Sequence, residues 1–353
     1  MAQETDRELP LPPFFDPDAA GRLWQVPFQE RAEQAAAWAR RFGLRPAAED
    51  AERFVLMIVD GQVTFCLPRG ELFVAGRSGN GAVEDAIRLV SFIYRNLGTI
   101  SQIVLTLDTH RPFQIFHPGF WVDAAGNQPA PFTQITVDDV ERGRWRVNPA
   151  IAGAVPIYDD LAALERYALH YVRALHESGR YELTIWPYHA LLGSVGHALL
   201  PIIEEAVFFH SLARQSQPHY EIKGANPLTE NYSVFRPEVL TGPNGETIAE
   251  PNRAFRDLLL AADVLAIAGE AGSHCVAWSV DDFLTHLLPY EHDQVEKIYL
   301  LADCMSPVVV PGAADYTPQQ EHALARFADA GMHVVASTTP ISAWPRRLVA
   351  SSQ

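Results

Sequence analysis

The sequence predicts an α/β protein with a six-stranded, mostly parallel sheet covered by helices on both faces. Three observations carry that expectation. Short continuous apolar runs such as FVLMIV (54–59) read as strands buried on both faces. These runs alternate with amphipathic helical stretches, the pattern of crossover-connected parallel strands. Several of the runs also stop at a polar residue, among them Asp60, Asp108 and Lys223.

Taken in order, residues 1–25 read as an irregular arm with Pro10, Pro12, Pro13 and Pro17, followed by a helix over about 29–42. The strand 54–59 comes next, then a helix over 82–96 with Ile87, Val90, Ile93, Tyr94 and Leu97 on one face. Residues 103–107 form the second strand. The stretch 123–160 is rich in Gly, Pro and Asp and reads as an excursion with little regular structure. Helices over 160–178 and 196–214 flank TIWPYHALLG, and a short strand at 220–222 ends at Lys223. The last three strands fall at 264–268, 298–302 and 333–337, with one helix starting near Cys275 and another over 318–330. This divides the chain into an arm and helix over 1–50 and a domain over 51–353 carrying insertions at about 123–180 and 191–215.

With 353 residues and 48% hydrophobic content the chain can bury a substantial core. A net charge of −16 argues against nucleic acid as a partner, since phosphate binding needs clustered Lys and Arg. No apolar run reaches the roughly 18 residues that span a bilayer, and the acidic start lacks the pattern of a signal peptide. The expected location is cytoplasmic. The cysteines are Cys66, Cys275 and Cys304, an odd and sparse set that fits a reducing compartment. Lys223 and Lys297 are the two lysines among 27 basic residues, so a lysine at a motif position carries weight.

In such folds ligands bind outside the carboxyl ends of the strands, where Asp60, Asp108, Lys223 and the loop before Cys275 all fall. Cys275 follows a glycine-containing turn at a helix start, with Ser273 as a plausible N-cap. A helix N-terminus stabilises a thiolate and presents backbone N–H groups to an oxyanion. The alternative is a small buried cysteine. Asp60 is either a base or a loop cap, and Lys223 either its partner or a surface lysine. Asp108 and His110, two apart on an extended segment, project to one side and can reach one metal. His189 would complete a carboxylate and two imidazoles, a set suited to Zn, Fe or Mn. Otherwise it is a histidine satisfied by a carbonyl beside a proline turn.

Five segments, in chain order, resemble the nicotinamidase/isochorismatase-like cysteine hydrolases: IVDGQVTFC, LDTHRPFQIFH, WPYH, IKGANPLTENYSVF and GEAGSHCV. The resemblance runs from about residue 54 to 305 and implies a Rossmann-like three-layer α/β/α sandwich. It implies Asp60 as general base, Lys223 as its cationic partner and Cys275 as nucleophile. The oxyanion hole would be the N–H groups of Ala271 and Cys275. Asp108, His110 and His189 would hold a divalent metal, zinc first, with His117 a further ligand candidate. Phe65 and Trp186 would enclose the substrate ring. The expected partner is a small-molecule amide, with nicotinamide, as in NAD salvage, the first choice, hydrolysed through a cysteine thioester.

The chain departs from the family pattern at Ala190, where nicotinamidases usually have cysteine, and at Glu270, where an apolar residue normally stands. Ser273 replaces the usual aspartate. The extra segments leave room for a lid, a further layer or a homo-oligomer arm. Two alternatives stay open: a relative acting on a carbamoyl or ureido compound without a metal, and a silent member that uses the fold for binding.

Overall fold

The computed structural model describes residues 8–287, 292–310, 312 and 314–345. Its helices are α1 (Phe28–Phe42), α2 (Val63–Cys66), α3 (Gly81–Arg95), α4 (Val137–Glu141), α5 (Leu161–Ser178), α6 (Pro201–Arg214), α7 (Arg253–Leu260), α8 (Ala277–Leu287) and α9 (Thr317–Asp329). The main strands are β1 (Phe54–Val59), β2 (Gln102–Asp108), β3 (His219–Lys223), β4 (Val264–Gly269), β5 (Ile298–Leu301) and β6 (His333–Val335). They form one sheet in the order β6-β5-β4-β1-β2-β3. The pairs β1–β2, β1–β4, β4–β5 and β5–β6 are all parallel.

The chain divides into two compact units. The first holds residues up to Leu107, Ala198–Glu221 and Arg253 onward. Every residue of β1 is buried, as expected for a central parallel strand without a polar face. α1, α3 and α6 pack in one helical layer, and α9 packs on β6 and on α8. The arm joins this core through Leu9, Phe14, Phe15 and Trp24, which lie against the cluster that holds Trp38, Tyr94 and Phe209. Residues 1–7 of that arm fall outside the described residues.

The second unit holds Asp108–His197 and Ile222–Asn252. Its helix α5 begins where Asp160 accepts the Ala163 N–H at 2.7 Å and ends at Gly179 in the left-handed region, φ 67°. Residues 123–160 hold more order than their composition suggests. Gln134–Ile135 pairs with Leu183–Thr184, Arg146–Val147 pairs with Trp121–Val122, and α4 lies between these segments. The Thr136 hydroxyl and the Asp139 carboxylate cap α4 reciprocally.

Other boundaries also moved. The helix expected over 196–214 starts at Pro201, whose ring suits a first helical turn, and α2 and α7 were not anticipated. No helix among the described residues is long and apolar enough to cross a membrane.

Candidate active site

Strand order decides where the Cys275 segment sits. From β1 the chain adds β2 and then β3 on one side, whereas β4, β5 and β6 build outward on the other. β1 and β4 therefore flank the topological switch point, where open α/β sheets leave a crevice at the strand ends. The two strands run in register to their last pair, Val59 opposite Gly269. Asp60 leaves the end of β1, and the turn to Cys275 leaves the end of β4.

Asp60 is fully buried at φ 46°, in the left-handed region that aspartate tolerates better than most residues. Its N–H donates to Thr106 Oγ1 at 3.1 Å, and the Thr106 hydroxyl returns a bond to Asp60 Oδ1 at 2.5 Å. This carboxylate is fixed by β2 before any substrate arrives. Gly269, at φ 115°, has no room for a side chain: a Cβ would lie 2.6 Å from the Val59 backbone nitrogen. The peptide between Glu270 and Ala271 is cis.

Gly272–Val276 forms one π-helical turn that runs directly into α8. Cys275, 8% exposed, lies in this first turn of the helical segment. Such single π turns recur at functional sites. Ser273 is not the N-cap expected for it. Ala271 flanks the turn, and the Ser273 hydroxyl lies inside it and accepts the Val308 N–H at 3.0 Å. Phe65, on α2, is buried in the core of the first unit.

The second unit gathers the candidate metal residues. His110, His117 and His189 are buried, with ligand atoms all within 4.8 Å of one another. Each ring uses Nδ1 on a backbone carbonyl: His110 on His189 at 3.1 Å, His117 on Arg111 at 3.2 Å and His189 on Pro187 at 2.7 Å. A neutral ring that donates Nδ1–H to a carbonyl keeps its lone pair on Nε2, the form that binds a metal. His117 Nε2 is buried with no hydrogen-bond partner, which a bound cation would satisfy. Burial and the neighbouring His110 push His117 down to about 3, and the same causes hold His189 well below its ordinary value. The donor set fits a divalent ion such as zinc.

The carbonyl-satisfied reading of His189 and the ligand reading thus use different nitrogens of the same ring. His117 belongs with the other two imidazoles, a stronger place than the sequence gave it.

Asp108 serves several partners. Its Oδ1 lies 3.0 Å from His110 Nε2 and 3.1 Å from Lys223 Nζ, and its Oδ2 lies 3.8 Å from His189 Nε2. Burial raises its pKa, but His110 and Lys223 outweigh this and hold the carboxylate well below its usual range. Lys223 also donates to the Asn231 carbonyl at 3.2 Å. Within this unit, then, Lys223 is the partner of Asp108, while Asp60 and Cys275 belong to the other unit. Gly224 follows at φ 80°, and a Cβ there would lie 2.7 Å from Asp108 Oδ1 and 3.0 Å from His110 Nε2. Glycine lets the chain pass this close to both groups.

Trp186 is held by a chain of hydrogen bonds. Its Nε1–H donates to the Tyr232 hydroxyl at 2.6 Å, which donates to Glu230 Oε1 at 3.0 Å. The Tyr171 hydroxyl donates to Glu230 Oε2 at 2.8 Å. Burial, with Glu238 nearby, pushes the Glu230 carboxyl up to about 8, against the two tyrosine hydrogen bonds that lower it. Because the folded value exceeds the unfolded one, stability from this group is full below the ordinary carboxyl range and is lost as pH rises through about 8. Thermal unfolding across that range is expected to show the decline, and Glu230→Gln is expected to reduce it.

The structural neighbours are nicotinamidases and pyrazinamidases. The nicotinamidase/pyrazinamidase of Acinetobacter baumanii is 19% identical, with 82% of this chain and 99% of that one covered and a TM-score of 0.47. Yeast nicotinamidase bound to the inhibitor nicotinaldehyde is 17% identical, with 80% and 99% covered and a TM-score of 0.49. The pyrazinamidase of Pyrococcus horikoshii in complex with zinc is 17% identical, with the same coverage and a TM-score of 0.43. Comparison with protein families and with curated proteins gives no match.

Sequence reasoning missed Thr106, Tyr232 and Glu230. Glu230 and Tyr232 lie in NPLTENYSVF, where an acid and a phenol two apart carry no pattern of their own. Thr106 could have been suspected as a polar residue inside an otherwise apolar strand.

Proposed function

We propose that the protein is a metal-dependent cysteine amidohydrolase of the nicotinamidase kind, with Asp60, Lys223 and Cys275 as its triad and nicotinamide as the first substrate to test. The observation that carries this reading is the β1–β4 register. It ends a buried, pre-oriented carboxylate and a helix-initial cysteine on adjacent strands at the switch point. The five motif segments of the sequence support it, as does the imidazole set that matches the metal segment.

In the proposed reaction Asp60 accepts the Cys275 proton, and the thiolate adds to the carboxamide carbon. The N–H groups of Ala271 and Cys275 hold the developing oxyanion. Asp60 returns the proton to the departing nitrogen, and the C–N bond breaks to release ammonia. A water molecule, deprotonated by Asp60, then cleaves the thioester, and the thiolate leaves to give the carboxylic acid.

Lys223 contributes a fixed positive charge that balances the acids of the site. Trp186, held by the Tyr232–Glu230 chain, and Phe65 are assigned to the faces of the substrate ring. His110, His117 and His189, with Asp108 beside them, would hold the ion, which supplies a Lewis-acid anchor for substrate orientation. The ligand-set residues disfavour the metal-free carbamoyl or ureido alternative.

The test is ammonia release from nicotinamide by zinc-loaded protein, with Cys275→Ala as the blank. Release that vanishes in the variant is the expected result. Folded, zinc-containing protein that releases no ammonia from nicotinamide would overturn this substrate choice.

A further inference from the structure

Behind the cysteine turn lies a second group of acids that the reaction does not use. Asp85 on α3 and Glu270 after β4 are 4% and 2% exposed and within hydrogen-bonding reach of each other. Arg88 takes one oxygen of the pair, donating to Asp85 Oδ1 at 2.6 Å, and also donates to the Asp303 carbonyl. The Ser306 N–H takes another, Glu270 Oε2, at 3.2 Å. The remaining two oxygens, Asp85 Oδ2 and Glu270 Oε1, are buried and have no hydrogen-bond partner.

Two unpartnered acceptor atoms on neighbouring carboxyls are costly unless a donor lies between them; the Ser306 side chain stands near Asp85, but its one hydroxyl proton cannot serve both oxygens. The adjoining cavity, lined in part by Cys66, Asp85, Glu270 and Cys304, is about 10 Å³, at the lower limit for a single water. A proton needs no such space. It also closes the charge balance, since two carboxylates, one proton and the Arg88 guanidinium sum to zero.

We propose that Asp85 and Glu270 share one proton at neutral pH and are positioning residues that hold the Glu270–Gly272 segment leading to Cys275. The segment is tied at both ends of this network. Glu270 N–H donates to the Val59 carbonyl at 2.8 Å, and Gly272 N–H donates to the Ser306 carbonyl at 2.8 Å. Loss of the proton would set two negative charges against each other directly beside Ala271. The other titratable groups facing the pair are Cys66 on α2, Asp60 after β1, and Asp303 and Cys304 after β5. Burial pushes both thiols well up, so they add no charge near neutrality. Burial likewise raises both carboxyls, and Asp85 further raises Glu270.

A carboxyl raised in the folded state favours folding at low pH, and that contribution is lost as pH rises above the ordinary carboxyl range toward the raised value. The experiment compares the thermal midpoints of wild type, Glu270→Gln and Asp85→Asn between about pH 6 and pH 9. Wild type is expected to lose stability with rising pH, and both variants to show a shallower slope. Equal slopes in all three would overturn the proposal.

Infrared spectra of the Glu230→Gln protein, which lacks the other carboxyl raised to near neutrality, keep the test independent of whether the Asp85 and Glu270 variants fold. A protonated-carboxyl band at neutral pH that titrates away at high pH is expected. Its absence would overturn the shared proton. The catalytic consequence rests on the proposed amidase reading: wild-type kcat falls about tenfold per pH unit once the proton is lost, with KM unchanged, and Glu270→Gln removes that limb. An unchanged limb in a folded Glu270→Gln would overturn the positioning role. Absence of amidase activity at every pH, with the slope difference intact, would instead count against the amidase reading alone.

Discussion

Replacing Cys275 with alanine is expected to lower amide turnover by about four orders of magnitude or more while the protein stays folded. The size of the loss follows from the role. A nucleophile that forms the covalent intermediate has no substitute among its neighbours, and the remaining oxyanion donors and substrate contacts provide only residual acceleration. The small effect on folding follows from position. Cys275 occupies a helix-initial turn anchored by its backbone and by the Ser273–Val308 bond, so the change removes one sulfur from a site already 8% exposed. Ammonia release and a thermal melt, measured on the same preparation, check both halves. Loss of activity together with loss of the unfolding transition would reassign Cys275 to structure.

The second large effect concerns the imidazoles. His117→Ala is expected to weaken zinc binding by about 100-fold or more, because it removes one of three buried, clustered imidazoles. His197→Ala is the control. That ring bonds Thr109 Oγ1 at 2.8 Å and is not one of the three clustered imidazoles. A competitive chelator titration reads both. Equal affinity in wild type and His117→Ala would return the ligand set to Asp108, His110 and His189 as the sequence ordered it.

The fold was legible because its strands are buried on both faces and therefore continuous in sequence. FVLMIV at 54–59 coincides with β1, and IVLTL at 103–107 falls short of β2 by one residue at each end. Short elements held by local caps or by tertiary contacts were not legible. α4 depends on Thr136 and Asp139, a capping pair hidden inside a Gly- and Pro-rich stretch. The site divides the same way. Asp60, Asp108 and Lys223 were visible because each marks the end of a strand. The Asp85–Glu270 pair was invisible because it joins residues 185 positions apart, and only the fold brings a helix residue to the acid after β4. Ser273 misled because a serine near a helix start usually caps it, whereas here the π turn carries it past that position.

The central claim is that Cys275 carries the acyl group between two half-reactions. The most direct measurement is intact-protein mass spectrometry on wild type quenched in acid during turnover of nicotinamide, followed by peptide mapping. The account predicts a mass gain equal to the nicotinoyl group, located on the peptide containing Cys275 and absent from Cys275→Ala. Turnover with no acyl adduct on rapid quench, or an adduct on Cys66 or Cys304, would contradict it.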